Sequence, residues 1–445
     1  MFPVAKNSVL TSVFGIAWEQ VIHVHVWLGH VVLLVAALHM VCWWRVYDEQ
    51  ASFPGDIMQV PMWFPQNSPD CEQTGNNRHC FVEYHAMPGV YPNSDNFTIQ
   101  LAFCSTICLF LLTGIFARFS VRRRNYELFY YLHHIFLVVF IVALLHAASS
   151  WYFLIAGLSL WFFDRCIRTY RRSGHWDVVD IRAVADGSVT RLELCPASRL
   201  PSKQSSPPSF KFCCGQYLYL NIPAVAPHEW HPFTISSAPS DGIVTCHIKA
   251  APTGPLDSTF TGRLAILARE LGDTPDRGQN LLVNVDGPYG AHVDPGQYKE
   301  LLLLAGGIGV TPIHSIFREA KVLLRIGQAR CRKIHLVWAV MTRTMLDPFL
   351  DTLQDALHDD LDGRLQISIY VDGERDLTAP VSGEKLTFHG VPFSVGRVNP
   401  EPHIKDLTPG QTSHVFVCGP PGLAATADLV SLQHGVSFHK EVFAF

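Results

Sequence analysis

The chain has 445 residues, of which 48% are hydrophobic and 16% charged, and its formal net charge at pH 7 is −4. This length suits two or three domains. The small net charge is uninformative about nucleic acid, and no basic aromatic surface suggests such a partner, so we expect none. Long apolar runs are confined to the chain before Arg165, which predicts a membrane part followed by water-soluble domains.

Four apolar runs define the expected membrane part. The first three are long enough to cross about 30 Å of hydrocarbon as helices, whereas the fourth is short for a span. We expect four transmembrane helices, from Val21–Trp44, Phe97–Phe116, Phe129–Ala147 and Trp151–Phe163.

Basic residues beside these runs predict the orientation of the chain, because short cytoplasmic loops retain Lys and Arg. One basic group, Arg122–Arg124 with Arg118, lies between the second and third runs, and another, from Arg165 to Arg172, follows the fourth. Both groups should be cytosolic. The long segment Asp48–Asn96 should then lie outside.

Histidines in the apolar runs are candidate metal ligands, because ionisable side chains are costly at bilayer depth. His25 and His39 are fourteen residues apart, which on a helix is about 21 Å and within about 40° of one face. This spacing suits two haems stacked across the membrane, and paired imidazoles favour electron transfer. On the other helix the spacing does not choose between His133 and His134 as the partner of His146. The competing interpretation is that these histidines are structural and form hydrogen bonds to neighbouring helices.

After Arg172 the chain changes to short apolar segments separated by turn residues, which is typical of a β-rich unit. The predicted strands are Asp177–Leu194, Gln216–Ile222, Phe233–Ile235, Ile243–Ala250 and Leu281–Val285.

From Glu300 the order becomes strand, glycine-rich turn, helix and strand, which predicts a parallel sheet. The segments are Leu301–Leu304, Gly306–Pro312, Ile313–Arg325 and Ile334–Val340. Missing side chains let the turn's N–H groups approach a pyrophosphate, at the positive end of the following helix. A second small turn, Cys418-Gly419-Pro420, ends another apolar strand. The competing interpretation is two ordinary strand-to-helix turns.

The segment His231–Pro239 has the sequence His-Pro-Phe-Thr-Ile-Ser-Ser-Ala-Pro. On this motif, together with the features above, the chain resembles the ferric reductase and NADPH oxidase superfamily of transmembrane flavocytochromes. The resemblance covers nearly the whole chain. It implies a membrane α-helical haem-binding bundle in residues 1–172, an FAD-binding β-barrel in 173–297, and an α/β NADPH-binding domain in 298–445, the last two being ferredoxin-NADP reductase-like. It also implies a plasma-membrane protein with cytosolic nucleotide domains.

The resemblance implies cofactor-binding residues, and no catalytic residues beyond them. FAD would be bound by His231, Pro232, Phe233, Thr234, Ser236, Ser237, His247, Ile248 and Lys249, with Phe445 over the flavin. NADPH would be bound by Gly306, Gly307, Gly309, Thr311, Pro312, Cys418, Gly419 and Pro420, with Arg343 pairing with its 2′-phosphate. For Arg343, the alternative is a solvated charge at the end of a strand. For the aromatic tail Phe438–Phe445, the alternative is packing as an ordinary last strand.

The resemblance also implies the haem ligands. His25 and His133 would hold the cytosolic-side haem b, and His39 and His146 the outer one. The family normally has six spans, and these two helices correspond to its third and fifth. We therefore expect that this chain lacks the first two.

The implied function is electron transfer from cytosolic NADPH through FAD and two haems to an external acceptor, with O2 giving superoxide as the first choice. Trp43 stands where superoxide-forming oxidases often carry a histidine. This residue and the long outer segment leave a ferric-chelate reductase as the alternative. Lesser alternatives are a flavin reductase that is merely anchored by its helices, and a truncated protein without catalytic activity.

Overall fold

The computed structural model divides the chain into two compact units, Met1–Thr169 and Tyr170–Phe445. It describes residues 18–49, 105–111, 126–136, 138–139, 141, 150–171, 173–196, 210–250, 255–272, 274, 276–290, 293–359, 361–374 and 386–441. His146, Phe445 and the segment Asp48–Asn96, apart from Asp48 and Glu49, lie outside these residues.

The first unit is helical where it is described. Its helices are α1 (Trp18–Glu49), α2 (Tyr126–His133) and α3 (Ser150–Arg171), and residues 105–111 are also helical. Among the described residues, one helix is long and apolar enough to cross a membrane: Val21–Cys42, within α1, which coincides with the first predicted span. The fourth predicted span belongs to α3, whose shorter apolar stretch is Ile155–Asp164. The second and third spans fall partly outside the described residues.

The second unit begins with a six-stranded antiparallel sheet in the order β4-β3-β6-β1-β2-β5. Apolar side chains along these strands, such as Ile181, Leu192 and Leu218, are fully buried in one core, to which helix α4 contributes Leu264 and Ala268. The elements are β1 (Ser173–Val184), β2 (Val189–Pro196), β3 (Tyr217–Asn221), β4 (His231–Thr234), β5 (Val244–Lys249), α4 (Phe260–Gly272) and β6 (Val283–Tyr289).

The predicted segment Asp177–Leu194 contains a β-hairpin rather than one continuous strand. Strands β1 and β2 are joined by a turn in which Ala185, Asp186 and Gly187 all have positive φ, at 53°, 53° and 78°. Such a turn reverses the chain so that its two apolar arms pair in antiparallel register.

A seven-stranded sheet in the order β10-β11-β9-β8-β7-β12-β13 completes the second unit. Its pairs are parallel except for the hairpin β10–β11. The elements are β7 (Glu300–Gly306), α5 (Val310–Arg325), β8 (Lys333–Val340), α6 (Leu350–His358), β9 (Leu365–Val371), β10 (Leu386–Phe388), β11 (Val391–Val395), α7 (Pro400–Lys405), β12 (Gly410–Cys418), α8 (Pro421–His434) and β13 (Val436–Glu441). Short 3-10 turns lie at Pro239–Asp241, Leu256–Ser258, Pro295–Gln297, Gly307–Gly309 and Arg343–Phe349.

Strand β7, in the interior of this sheet, is almost completely buried. Leu301–Ala305 of β7 are at most 1% exposed, as expected of a parallel strand covered on both faces. Helix α5 begins at Val310, three residues before the predicted start, because Pro312 is tolerated in a first helical turn, where its missing N–H leaves no bond unmade. The described part of the aromatic tail, up to Glu441, belongs to β13, the last strand of the sheet.

Candidate functional site

The topology of the parallel sheet defines its candidate binding edge. Strands β7 and β12 are neighbours, but β7 connects through α5 to β8 on its other side. The strand order therefore reverses between β7 and β12, and ligands of open α/β sheets bind outside the carboxyl ends of strands at such a switch point. The two turns predicted to contact a dinucleotide, after Gly306 and Cys418, both leave the sheet there.

The two turns are in direct backbone contact. A Cβ atom on Gly306 would overlap Pro420, and one on Gly309 would overlap the carbonyl group of Cys418. A Cβ atom on Gly419 would lie 2.9 Å from the backbone nitrogen of Gly306. Only glycine allows this approach at these three positions, so the predicted glycines are required by the contact between the turns.

The start of α5 has open space beside it. Gly307 has a φ of 55°, and no atom of the described residues lies within 4 Å of where its Cβ would stand. Among the described residues, no side chain caps the N-terminus of α5, while the indole nitrogen of Trp338 donates to the carbonyl of Gly307 at 2.9 Å and fixes the turn. Thr311 is turned inward, to the carbonyl of Ile308. Open space over a helix N-terminus that no described side chain caps fits a pyrophosphate.

The His-Pro-Phe-Thr motif forms β4, whose first residue is held in place by its neighbours. The ring of His231 stacks on Phe260 at 4.1 Å between centroids and bonds to Glu229 at 2.9 Å. Pro232 and Phe233 are half-buried and Thr234 is buried. The half-buried pair leaves part of this strand open to a flavin.

The segment after β4 is tied to helix α5. The carbonyl of Ser236 accepts a hydrogen bond from Nδ1 of His314, and the carbonyl of Ser237 accepts one from the hydroxyl of Ser315, both at 2.7 Å. On the other side of the His314 ring, Nε2 lies 2.9 Å from the hydroxyl of Thr352. The antiparallel sheet therefore contacts the same helix that begins at the glycine turn, so both predicted cofactor sites share one rigid element.

Strand β5 contributes a buried histidine to this junction. His247 bonds to the hydroxyl of Ser236 at 2.7 Å and packs on Phe349 at 4.4 Å, while its Nε2 has no hydrogen-bond partner among the described residues. Burial holds the pKa of His247 well below its ordinary value, so the ring is neutral at pH 7. Of the neighbouring predicted FAD residues, Ile248 is in the core and Lys249 is exposed.

Arg343 lies at the end of β8, on the same edge of the sheet as the glycine turns. Its backbone nitrogen donates to Oε1 of Glu374 at 2.9 Å, and its Nε is 3.5 Å from Oε2 of the same carboxylate. Sequence reasoning missed Glu374. The available signal was an acidic residue shortly after the next strand along the chain, β9.

The structure brings together two of the predicted haem ligands in the first unit. The rings of His25 and His133 lie 6.1 Å apart between centroids, at an interplanar angle of 74°. His134 is exposed and contacts Phe136 instead. His39 lies on α1 fourteen residues after His25, and its expected partner, His146, is outside the described residues.

The contact between the glycine turns predicts a large stability effect from one methyl group. Gly309→Ala should lower the free energy of unfolding by about 1–3 kcal/mol, because the new Cβ must displace the backbone at Cys418. Thermal unfolding of the full chain measures the effect. Gly422→Ala is the matched control, since its Cβ meets open space. Equal melting temperatures for the two variants would contradict the tight contact.

Burial of His314 predicts a pH-dependent stability. Burial lowers the pKa of His314 from 6.5 to about 4 in the folded chain. The unfolded chain therefore binds more protons between these values, and the free energy of unfolding should fall as the pH is lowered from 6.5 to 4, by about 1.4 kcal/mol per pH unit for this group.

Urea unfolding across this pH range measures that slope in the full chain. His314→Asn removes the titrating ring, so its slope should be shallower than that of the parent protein. An unchanged slope would show that His314 does not titrate in this way.

Comparisons with known proteins identify three domains along the chain. Three family models match the chain: "Ferric reductase like transmembrane component" over residues 1–144, "FAD-binding domain" over 186–293, and "Ferric reductase NAD binding domain" over 298–431. The matched domains therefore comprise one that binds FAD, one that binds a nicotinamide nucleotide, and a membrane component that binds haem in this family.

Several curated relatives are similar over much of the chain. One superoxide-generating NADPH oxidase heavy chain of Dictyostelium discoideum is 32% identical over 58% of this chain and 38% of its own length, and a second heavy chain from that organism is 30% identical over 65% and 58%. Ferric reduction oxidase 7, chloroplastic, of Arabidopsis thaliana is 25% identical over 76% and 40%. The matches thus cover between 38% and 58% of these relatives. The chain belongs to the ferric reductase and NADPH oxidase superfamily.

Proposed function

We propose that this protein is an NADPH-dependent oxidoreductase that moves electrons across a membrane to an acceptor on the far side. The observation that carries the proposal is the meeting of the two glycine turns at the switch point of the parallel sheet. Helix α5 starts at one of these turns and also bonds to Ser236 and Ser237 within the flavin motif His231–Pro239. A nucleotide on the turns and a flavin on β4 would therefore be held by the same helix.

When bound, NADPH supplies a hydride, FAD divides its electron pair into single electrons, and the two haems carry one electron at a time. The protein's part is to bind and orient them. The turn Gly306–Gly309 and the first turn of α5 would receive the pyrophosphate. Thr311 and Pro312 shape that first helical turn, and Cys418–Pro420 would form the adjoining wall. Arg343 would pair with the 2′-phosphate of the adenosine.

The flavin is assigned to the exposed side of β4. Pro232, Phe233 and Thr234 would border its ring system, and the contact with Phe260 holds His231 beside them. The exposed Lys249 at the end of β5 suits the FAD phosphates. Phe445 would cover the flavin ring.

The haems are assigned to histidine pairs on the membrane helices. The ring contact between His25 and His133 supports the inner pair, because two axial ligands of one iron must face each other. We assign His39 and His146 to the outer pair. His30 is left out, because it lies only five residues after His25, about 7.5 Å along the helix, whereas His39 lies about 21 Å away.

We propose O2 as the acceptor, with superoxide as the product. Two relatives named as superoxide-generating oxidases favour this choice. A ferric-chelate reductase is the second candidate, favoured by Trp43 and by the relative named as a ferric reduction oxidase. We place the nucleotide domains in the cytosol, on the basis of the arginines around residues 118–124 and 165–172. We place the protein in the plasma membrane on the resemblance to the family.

Acceptor choice is testable on the purified, flavin-loaded full chain. With NADPH and air, an O2-reducing enzyme gives a superoxide signal that superoxide dismutase abolishes, and ferric-chelate reduction falls in parallel. Chelate reduction that continues without oxygen and in the presence of superoxide dismutase would contradict the oxidase assignment. Absence of NADPH oxidation with every acceptor would favour the truncated protein without catalytic activity.

Haem ligation is testable by single substitutions with matched controls. His25→Ala and His133→Ala should each remove about half of the b-type haem per flavin, because each breaks one of two bis-histidine sites. His30→Ala and His134→Ala, on the same helical segments, should leave the haem content unchanged. The assignment is wrong if His134→Ala loses haem and His133→Ala does not.

A further inference from the structure

We infer that Glu374 is a specificity-determining residue that weakens the preference for NADPH over NADH by competing with the 2′-phosphate for Arg343. The inference rests on the proposed function, because it concerns the adenosine end of the nucleotide site. No family model or relative described above assigns a role to this carboxylate.

The position of Glu374 is fixed by the ends of two neighbouring strands. Strands β8 and β9 are parallel and in register up to Val340 and Val371. Just beyond them, the nitrogen of Asp372 donates to the carbonyl of Val340 at 2.9 Å, and that of Gly373 to the carbonyl of Met341 at 3.0 Å. This ladder continues the sheet into the loops and brings the Glu374 carboxylate to Arg343.

The pair lies where an adenosine ribose is recognised in dinucleotide-binding sheets. Strand β8 is paired with β7, which ends in the glycine turn, so the turn, Arg343 and Glu374 follow one another along one edge. In such folds an acidic side chain accepts a hydrogen bond from the 2′-hydroxyl of NADH, or an arginine binds the 2′-phosphate of NADPH. This chain has both side chains, and they contact each other.

The contact between Arg343 and Glu374 has opposite effects on the binding of NADPH and of NADH. A 2′-phosphate gains the Arg343 guanidinium but lies beside the negative charge of Glu374, and the arginine is already partly neutralised by that charge. A 2′-hydroxyl can donate to the same carboxylate. The two side chains are 44% and 24% exposed, so solvent screens the repulsion without removing it.

The test is Glu374→Gln in the full chain. Glutamine keeps an oxygen that can accept from the backbone nitrogen of Arg343, but it loses the charge. The ratio of kcat/KM for NADPH to that for NADH should rise about tenfold, mainly through KM. Arg343→Gln should lower the ratio at least tenfold. In the Arg343→Gln background, Glu374→Gln should have a smaller effect, because the competition for the guanidinium is gone.

Two controls separate this role from other effects. Glu401→Gln removes a negative charge from another surface ion pair, with Lys405, and should leave the ratio unchanged. Calorimetric affinities for 2′,5′-ADP and 5′-AMP report the same preference without any turnover. Glu374→Gln should raise the affinity ratio of these two probes by the same factor.

The outcomes distinguish the inference from the proposed function. A shifted probe ratio in a protein that oxidises neither nucleotide would reject the proposed activity and retain the role of Glu374. Turnover of NADPH with an unchanged ratio after Glu374→Gln would overturn the inference and retain the activity. Failure of both probes to bind the parent chain would overturn both.

Discussion

The backbone contact between the turns after β7 and β12 is the constraint on which the nucleotide-binding half of the molecule depends. Gly306, Gly309 and Gly419 allow the two turns to touch at the switch point of the sheet. The same contact positions the first turn of α5, the helix N-terminus at which the nucleotide phosphates are proposed to bind. Moving either turn would displace both the helix and the edge at which Arg343 lies.

Helix α5 carries this constraint into the antiparallel sheet. His314 and Ser315 bond to the backbone of the flavin motif, and Arg318 pairs with Asp241 at 2.6 Å. His314 makes its bonds as a neutral ring, because its pKa is lowered to about 4 by burial. A buried polar junction of this kind fixes one arrangement of two sheets more strictly than apolar packing alone, because each misplaced group would lose its partner.

The sequence predicted those features that leave a local trace. Missing side chains mark the glycine turns, a continuous apolar run marks β7, and residue spacing marks the histidines of α1. The start of α5 and the hairpin after β1 were misjudged, because both depend on backbone conformations at Val310 and Ala185–Gly187 that several residue types can adopt. Glu374 was missed because its partner is 31 positions away and meets it only once β8 and β9 pair. The junction at His314 joins positions 78 apart for the same reason.

The central claim is that electrons from NADPH pass beyond the flavin to haem iron held between membrane helices. Absorption spectra of the purified full chain, recorded without oxygen before and after addition of NADPH, test it directly. The account predicts that reduced b-type haem bands appear only when FAD is bound. Bleaching of the flavin by NADPH with no haem band at any time would contradict it.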